Sequence, residues 1–574
     1  MHNDLLSFIR EHCLSPFSDG MPRSKGIKSI FKTPDARAVH ARVINHLSRY
    51  FKFPATSCLF NAFTFAENSD AILSRQKFFS SIPLDILPLF ENISSPKPWW
   101  RPKYGIVVVT EDESTFMNLS RLGCPVQFLA TPEDLASLQS YEIVQAIDCE
   151  QFRLMLERIP QTIFLDSLDA VYLERYLSLL SGWEQILLTL SSRTLPAEMR
   201  AIVDELCSLL PLLHDSSEKP ITLDDANQIL GEVNQAIGER LAGMTLPGSV
   251  FLSLLQKGAL PQALHSIVRE ELLRKPLPLH VFTLGVPLSF DERAFHDFIA
   301  DQYARHNTSF ASRVVHASSA LQSVPERLDL LSRHLILHDF VAGMAFFMKK
   351  TTSFPVPGDE FVIEDACNIF LDDAQPVSFQ LIPPIRCSIL TGANSGGKTT
   401  LLEHLIQIVT LFHIGLPISG KASVPFFTEI YYFAKPRGSA NRGAFETLLT
   451  DLSAIAPSER TLILADEIEA VTEPGVAGTI VSATASYFIE RGCFLVVATH
   501  LGQEVQAVLP KGARIDGIEA KGLTENLELI VDHNPVLGRL AHSTPELIVE
   551  RLARSHSGDY FMHIHKSLTA KNQK

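Results

Sequence analysis

Residues 392–399 read Gly-Ala-Asn-Ser-Gly-Gly-Lys-Thr, a full match to the phosphate-loop pattern G-x-x-x-x-G-K-[ST]. The apolar residues 387–391 before this segment predict a buried strand, and the apolar spacing of residues 400–412 after it predicts a helix. This strand–loop–helix context favours a phosphate cradle over the alternative interpretation, a simple glycine-rich turn. The segment therefore predicts binding of a nucleoside triphosphate.

The chemistry of the loop suits a phosphate group. Its glycines let backbone N–H groups turn inward, and the N-terminus of the following helix carries partial positive charge. Lys398 adds a full positive charge, and the Thr399 hydroxyl is placed to hold Mg²⁺. The residues expected to contact the nucleotide are Gly392, Ala393, Asn394, Ser395, Gly396, Gly397, Lys398, Thr399 and Thr400.

Two later apolar runs end in polar residues that suit nucleotide hydrolysis. Residues 461–465 predict a strand that ends in Asp466, which can reach Mg²⁺ at the edge of a parallel sheet, and Glu467, which can orient a water molecule. A strand followed by two acids is common and by itself indicates little. Here the pattern follows the loop, with Asp466 lying 67 residues after Thr399, and this order and spacing make it indicative of a nucleotide site. Residues 493–499 predict a third strand followed by His500, either a γ-phosphate sensor or an ordinary edge histidine.

Composition bounds the class of protein. A chain of 574 residues predicts three or four domains, and a net charge of −14 does not suggest a wholesale nucleic-acid coat. Eight scattered cysteines without a C-x-x-C pair argue against a zinc site or a disulfide framework and suit a reducing cytosol. No signal peptide is visible, and the apolar run 335–348 is too short to cross a bilayer, so we expect a soluble, cytoplasmic protein.

The patterns along the chain predict a multidomain protein, partly α/β and partly mostly α. We expect a mainly helical region at 1–103, a small α/β domain at 104–196, a helical region at 197–354 and a second α/β domain at 355–574. Residues 185–189 predict a strand of the small α/β domain. In the helical region, the spacing of apolar residues from Leu223 to Leu241 predicts a helix that Thr222 caps.

One segment opposes the acidic balance. Residues 23–52 contain eight basic residues and one acid, with aromatic residues among them. Such a patch could neutralise DNA phosphates, and Lys25, Lys28 and Lys32 are the candidate contacts. The alternative is a solvated helix face on an acidic protein.

The ordered motifs resemble the ATPase domain of the MutS family. Residues 392–400 look like the loop Gly-x-Asn-x-Gly-Gly-Lys-Ser/Thr-Thr of that family, and residues 415–425 are similar to its Gly-x-x-Val-Pro segment. Residues 465–469 and 497–500 follow in the expected order and at the expected distance. Residues 543–553 look like the closing helix that packs the dimer of that family.

This resemblance implies an ABC-type ATPase domain at 355–574, with C-terminal dimerisation helices, preceded by a helical core and lever region. It also implies ATP and Mg²⁺ as cofactors and a homodimer in which the signature segment of one chain closes on the partner's phosphate loop. Here Arg442, Gly443 and Ala444 stand at that signature, where the family usually has a Ser-Thr pair before the phenylalanine. Phe370 is a candidate for stacking on adenine, with a core phenylalanine as the alternative.

The implied function is an ATPase that binds mismatched, branched or recombining DNA as a dimer. The N-terminal region does not look like the mismatch-binding domain of the family, and a Smr-type nuclease is not recognisable. The alternative is an ATP-driven scaffold or switch that acts on protein partners without touching DNA. A transporter ATPase is disfavoured, since the Leu-Ser-Gly-Gly-Gln signature is absent.

Overall fold

The computed structural model describes residues 2–17, 29–90, 94–99, 105–121, 124–214, 220–243, 245, 248, 262–285, 287–392, 396–434, 442–467, 474–523, 529–541, 549, 552–554 and 559–571. The chain forms two compact units, one from Met1–Ser94 with Ser332–Lys574, and one from Ser95–Leu331. The four domains expected from the sequence stay a prediction. In the observed division, the first 94 residues belong with the C-terminal part of the chain.

The N-terminal residues form four helices, α1 (His2–Glu11), α2 (Pro34–Ser48), α3 (Pro54–Ala62) and α4 (Ser69–Ser80). Local capping explains two of their start points. The Thr33 side chain accepts a hydrogen bond from the Ala36 backbone N–H at the start of α2, and the Asn68 side chain accepts one from Ala71 at the start of α4. Pro34 fits the first helical position because its fixed φ suits the turn and it has no N–H to satisfy.

The second unit begins with β1 (Ile106–Thr110), α5 (Glu113–Arg121), β2 (Val126–Phe128), β3 (Ile143–Ala146), α6 (Arg153–Leu156) and β4 (Thr162–Phe164). These strands form a parallel sheet in the order β2-β1-β3-β4, with Val108 opposite Val126 on one side and Gln145 on the other. Strands β1 and β3 are buried along their whole length, and the sequence of β1, Ile-Val-Val-Val-Thr, is the unbroken β-branched run that such a strand favours. The sheet confirms the predicted α/β character of this part.

One predicted strand of this region is wrong. Residues 185–189 lie inside helix α7 (Glu174–Ser191). A short apolar run cannot distinguish a buried strand from a buried helix, and the wider spacing of the buried residues Leu177, Leu180, Leu187 and Leu190 is helical.

The rest of this unit is mostly helical and contains α8 (Ala197–Leu209), α9 (Leu223–Ala242), α10 (Gln262–Leu273), the strand pair β5 (Phe282–Thr283) and β6 (Ser289–Phe290), α11 (Glu292–His316) and the start of α12 (Ser318–Met348). Helix α9 begins as predicted, because Thr222 and Asp225 form a reciprocal capping box. Of the apolar residues whose spacing predicted this helix, Ala226, Val233 and Ile237 are buried, whereas Leu223 at the first position is 60% exposed.

Helix α12 is longer than the apolar run seen in the sequence, since Pro325 lies inside it without ending it. It is the one described helix whose length and composition would allow it to cross a bilayer. However, 67% of its most apolar stretch is buried inside the protein, as in a core helix. Within the first unit, the Asp339 carboxylate of α12 accepts hydrogen bonds from the Phe53 backbone N–H and the Thr56 hydroxyl, and so caps α3.

The C-terminal part contains β7 (Val356–Pro357), β8 (Phe361–Ala366), β9 (Val377–Leu381), β10 (Cys387–Gly392), α13 (Lys398–Ile414), β11 (Lys421–Val424), β12 (Glu429–Phe433), α14 (Arg442–Ser453), β13 (Thr461–Asp466), α15 (Pro474–Ile489), β14 (Phe494–Ala498), α16 (Gly502–Gln506), β15 (Ala513–Ile518), β16 (Ala520–Leu523), β17 (Leu529–Val531), β18 (Val536–Leu537) and α17 (Asp559–Lys571). The main sheet has the order β12-β13-β14-β10-β15-β18, and only β18 runs antiparallel to its neighbour. A second sheet has the order β7-β11-β8-β9, and β16 pairs with β17. Most of the predicted closing helix at 543–553 lies outside the described residues.

The N-terminal region extends the main sheet beyond β12. The Lys32 backbone N–H donates to the carbonyl of Ile430 at 2.9 Å, and the Ile430 N–H donates to the carbonyl of Ile30 at 2.8 Å. Beside these bonds, the Thr33 hydroxyl donates to the Tyr432 carbonyl at 2.7 Å. Residues of α1 to α4 share one hydrophobic core with α13 and the strands below it. The first residues are therefore an integral layer of the unit that holds the phosphate loop.

Candidate functional site

Three neighbouring parallel strands bring the predicted site residues to one sheet edge. Strand β10 ends at Gly392, β13 ends at Asp466, and β14 ends two residues before His500. The register pairs Ala498 of β14 with both Asp466 and Leu390. Because the carboxyl ends of parallel strands meet at one edge, the motifs lie together although more than a hundred residues separate the first from the last.

The described ends of the phosphate loop have the conformation that glycine allows. Gly392 has φ of +134°, and a Cβ atom there would lie 2.4 Å from the carbonyl oxygen of Ile518. Gly397 has φ of +87° and precedes the first residue of α13. Ala393, Asn394 and Ser395 lie outside the described residues.

Lys398 is the buried cation of the site. It is the first residue of α13 and only 3% exposed, and its Nζ donates to the carbonyl of Gly392 at 2.7 Å. This bond brings the ammonium group back to the end of β10. Thr400 follows in the same helical turn and is exposed. The N-terminus of α13 carries partial positive charge and Lys398, its first residue, adds a full one, a combination that attracts an anion.

Thr399 and Asp466 meet directly. The Thr399 hydroxyl donates to Oδ2 of Asp466 at 2.5 Å, and Asp466 is buried at the end of β13. Both side chains present oxygen atoms, the ligands that Mg²⁺ prefers. These residues fit a magnesium ion, which they would hold beside the phosphate loop.

Glu467 and His500 form a second pair. Nε2 of His500 lies 2.7 Å from Oε1 of Glu467, and since a carboxylate only accepts hydrogen bonds, Nε2 carries the proton. Glu467 is 8% exposed and has φ of +51°, a left-handed conformation that costs a non-glycine residue about 1–3 kcal/mol. Its backbone N–H donates to the carbonyl of Ala498 at 2.9 Å, which fixes the turn. Strained residues of this kind cluster at active sites.

His533 is a site residue that the sequence did not indicate. Its Nδ1 donates to the carbonyl of Gly396 at 3.1 Å, and a Cβ atom at Gly397 would lie 2.9 Å from the same nitrogen. The neighbouring Asn534 fixes this position, since its side-chain oxygen accepts from the Ser378 backbone N–H at 2.7 Å. A lone histidine in a short polar connection between strands carries no pattern that could have singled it out.

Phe370 lies under a cation. The guanidinium carbon of Arg42 is 4.0 Å from the ring centroid, and Nη1 of Arg42 donates to Glu403 at 2.9 Å. The backbone before the ring is fixed by Asn368, whose side-chain oxygen accepts from the Phe370 N–H and from Gln407 on α13. Adenine stacking on Phe370 stays a prediction.

The remaining predicted residues are only partly described. Nζ of Lys32 lies 3.4 Å from Oε1 of Glu429, so this candidate DNA contact already has an acidic neighbour. Lys25 and Lys28 lie outside the described residues. Arg442, Gly443 and Ala444 open α14, but their side chains are not among those described.

Comparison with curated proteins finds relatives that carry the name MutS2. The chain is 45% identical over 214 residues to the DNA-binding protein MutS2 of Pyrococcus furiosus, a stretch that covers 35% of this chain and 38% of that protein. It is 34% identical over 135 residues to Endonuclease MutS2 of Solidesulfovibrio magneticus, covering 22% of this chain and 18% of that protein. It is 26% identical over 246 residues to Endonuclease MutS2 of Thermus thermophilus, covering 40% and 31%.

The matched stretches span at most 38% of the length of these three relatives. No protein-family profile matches the chain. The relatives share a name that is consistent with the motifs found at the sheet edge. There the loop lysine, the Asp-Glu pair and the histidine lie close together. On these grounds, the matched part of the chain is similar to proteins named MutS2, which are MutS-family proteins.

Proposed function

We propose that this chain is an ATP-dependent DNA-binding protein of the MutS type, in which ATP binding and hydrolysis control the grip on mismatched, branched or recombining DNA. One observation carries the proposal. The Thr399–Asp466 pair and the Glu467–His500 pair lie at the sheet edge where β10 leads into the loop of the buried Lys398. A phosphate-binding cation, oxygen ligands for a cation and a positioned carboxylate are together the groups that hydrolysis of a triphosphate needs.

Each side chain has a role in this proposal. Lys398 would exchange its bond with the Gly392 carbonyl for bonds with phosphate oxygens. Thr399 and Asp466 would hold Mg²⁺, which supplies positive charge at the phosphate oxygens when bound. Glu467 would accept a hydrogen bond from the attacking water and orient it toward the γ-phosphorus, while His500 holds the carboxylate in place.

The DNA part of the proposal is supported by the names of the relatives, one of which is called a DNA-binding protein. Lys25, Lys28 and Lys32 are the proposed contacts. The chain would act as a homodimer in the cytoplasm. The sequence regions 1–103, 104–196, 197–354 and 355–574 remain the proposed domains, with the first of them packed on the last as described above. The segment at Arg442, Gly443 and Ala444 would close on the partner's phosphate loop through backbone N–H groups at the start of α14.

One observation favours the second candidate, an ATP-driven scaffold without DNA contact. Two cations of the basic segment already have acidic partners, since Lys32 lies beside Glu429 and Arg42 beside Glu403. Cations paired in this way release fewer counterions from DNA than free ones, so they add less to affinity.

The test is a binding panel of duplex, mismatched, junction and single-stranded DNA, each with ATP, with ADP and without nucleotide, over a range of salt concentrations. The triple variant K25Q/K28Q/K32Q is compared with K349Q/K350Q/K421Q, which removes the same charge from three exposed lysines elsewhere. The proposal expects ATP-dependent binding whose salt dependence is shallower in the first variant alone. No DNA binding at low salt would support the scaffold instead.

A further inference from the structure

The strand that leads into the phosphate loop carries a buried hydroxyl with two partners. Thr391 precedes Gly392 and is 3% exposed. Its Oγ1 donates to the carbonyl oxygen of Asp516 on β15 at 3.2 Å and accepts from the backbone N–H of Ala541 at 3.1 Å. One side chain therefore joins the foot of the loop to a segment 150 residues later.

That later segment, residues 536–541, is held against the same two strands at several points, and we refer to it as the anchor segment. It begins with β18, whose Val536 pairs with Gly517 of β15. The Gly538 backbone N–H donates to Oδ1 of Asp516 at 2.9 Å. A Cβ atom at Gly517 would lie 2.6 Å from the Ala541 nitrogen, so the backbones of β15 and the anchor segment are in close contact.

Asp516 also links β10 and β15 to the anchor segment. It is fully buried, and its carboxylate accepts from the Ser388 hydroxyl at 2.6 Å and from Nε of Arg514 at 2.7 Å, besides the bond from Gly538. Ser388 lies on β10, three residues before Thr391. Buried charge-assisted bonds of this kind fix geometry, so β10, β15 and the anchor segment form one rigid junction.

Space around the threonine is also filled. A Cβ atom at Gly502, the first residue of α16, would lie 2.7 Å from Cγ2 of Thr391 and 2.4 Å from Cδ1 of Leu540. Thr391 and Leu540 of the anchor segment are therefore both packed closely against the backbone of Gly502.

We propose that Thr391 is a positioning residue that couples the phosphate loop to the anchor segment. Binding of a nucleotide at the loop stabilises the docked anchor segment, and the docked anchor segment holds β10 in the geometry that the nucleotide needs. Coupling of this kind is reciprocal, so each event strengthens the other by the same factor. This inference rests on the proposed nucleotide binding at the loop.

The test compares T391V with T391S in the full chain. Valine keeps the shape and removes the hydroxyl, whereas serine keeps the hydroxyl and removes the methyl group. The affinity for a fluorescent ATP analogue is measured by titration, and hydrogen exchange of residues 536–541 is measured with and without nucleotide. We expect T391V to lose roughly three- to tenfold in affinity, the range that one buried hydrogen bond gives.

Hydrogen exchange separates coupling from a merely structural role. In the wild type and in T391S, nucleotide should slow exchange in the anchor segment, and in T391V this nucleotide-dependent difference should vanish. Equal affinity and equal nucleotide-dependent protection in T391V and the wild type would overturn the coupling. Equal losses in T391S and T391V would overturn it too, since packing of the methyl group would then be the cause.

Two further outcomes are distinguishable. If T391V does not fold, A541P removes the donor side of the same bond and leaves β10 unchanged, and wild-type affinity and protection in A541P would overturn the coupling. A wild type that binds no nucleotide overturns the proposed function together with the coupling. A wild type that binds nucleotide while T391V behaves identically overturns the coupling alone.

Discussion

The guanidinium of Arg75 donates to the backbone carbonyl of His413 at 2.8 Å, and so joins the N-terminal helix α4 to the far end of α13, the helix that begins at the phosphate loop. The same side chain donates to the carbonyls of Phe63 and Phe65. Burial lowers the pKa of Arg75 to about 10, so the group stays charged at neutral pH. One cation thus satisfies three carbonyl groups from two parts of the chain.

We therefore expect R75M to lower the free energy of unfolding by about 2–4 kcal/mol, because it leaves partly buried carbonyl groups without a donor. Chemical denaturation measures the change. R42M is the matched control, since Arg42 pairs with Glu403 at a 55% exposed position and should contribute less than about 1 kcal/mol. Similar losses of unfolding free energy in both variants would show that the hydrogen bonds of Arg75 stabilise the protein no more than an exposed ion pair does.

K398A should abolish measurable nucleotide binding, a loss on the order of 100-fold or more, because a hydrogen bond between charged groups contributes up to about 3 kcal/mol. Titration with a fluorescent ATP analogue measures it. K421A removes an exposed lysine of β11 and should bind as the wild type does. Retained affinity in K398A would refute the assignment of the loop.

E467Q should bind ATP with wild-type affinity but hydrolyse it about 10²–10⁴ times more slowly, because the amide is a poor acceptor for the proton of the attacking water. Release of phosphate in single-turnover experiments measures the rate. E490Q changes an exposed glutamate of the same unit and should leave the rate unchanged. Normal turnover in E467Q would show that another group orients the water.

Mild acid should weaken the unit that holds the phosphate loop. Burial lowers the pKa of His404 on α13 to about 4, and a backbone hydrogen bond at Cys367 opposes this shift only in part. In the unfolded chain His404 therefore binds a proton near pH 6.5, whereas in the folded chain it binds one only near pH 4. Stability from this group is complete above pH 6.5 and is lost as the pH falls toward 4, by up to about 3 kcal/mol.

The difference in unfolding free energy between pH 7 and pH 5 measures this effect. In H404Q that difference should shrink, whatever the variant costs at pH 7. H563Q, which changes a histidine exposed on α17, is the control and should keep the wild-type difference. An unchanged difference in H404Q would mean that the pKa of His404 is the same in the folded and the unfolded chain.

Much of the candidate site could be predicted because its residues stand at the ends of strong local patterns. The loop around Lys398 and the acids at Asp466 and Glu467 each follow an apolar strand, and parallel strands bring such ends together. The sequence indicates that Glu467 and His500 lie near each other, but it does not predict the hydrogen bond between them. The left-handed φ of Glu467, which accompanies this contact, has no signature in the sequence.

The errors and omissions have a common physical cause, which is that long-range packing decided the outcome. The run 185–189 became helical because the residues around it bury one face at helical spacing. His533 reaches the loop because the Asn534 side chain holds its connection against Ser378, 156 positions earlier. Residues 30–33 pack on β12 through individual backbone hydrogen bonds, and no periodic pattern in the sequence predicts such bonds.

That docking has a consequence for synthesis of the protein. Thr33 and its partner Tyr432 are 399 positions apart, so a ribosome adding about 5–20 residues per second makes the second roughly 20–80 s after the first. Throughout this interval the apolar faces of the earliest helices emerge without the surface that will cover them. The N-terminal helices of the nascent chain therefore stay available to chaperones for a long time. Although they are synthesised first, they are among the last parts of the protein to complete their packing.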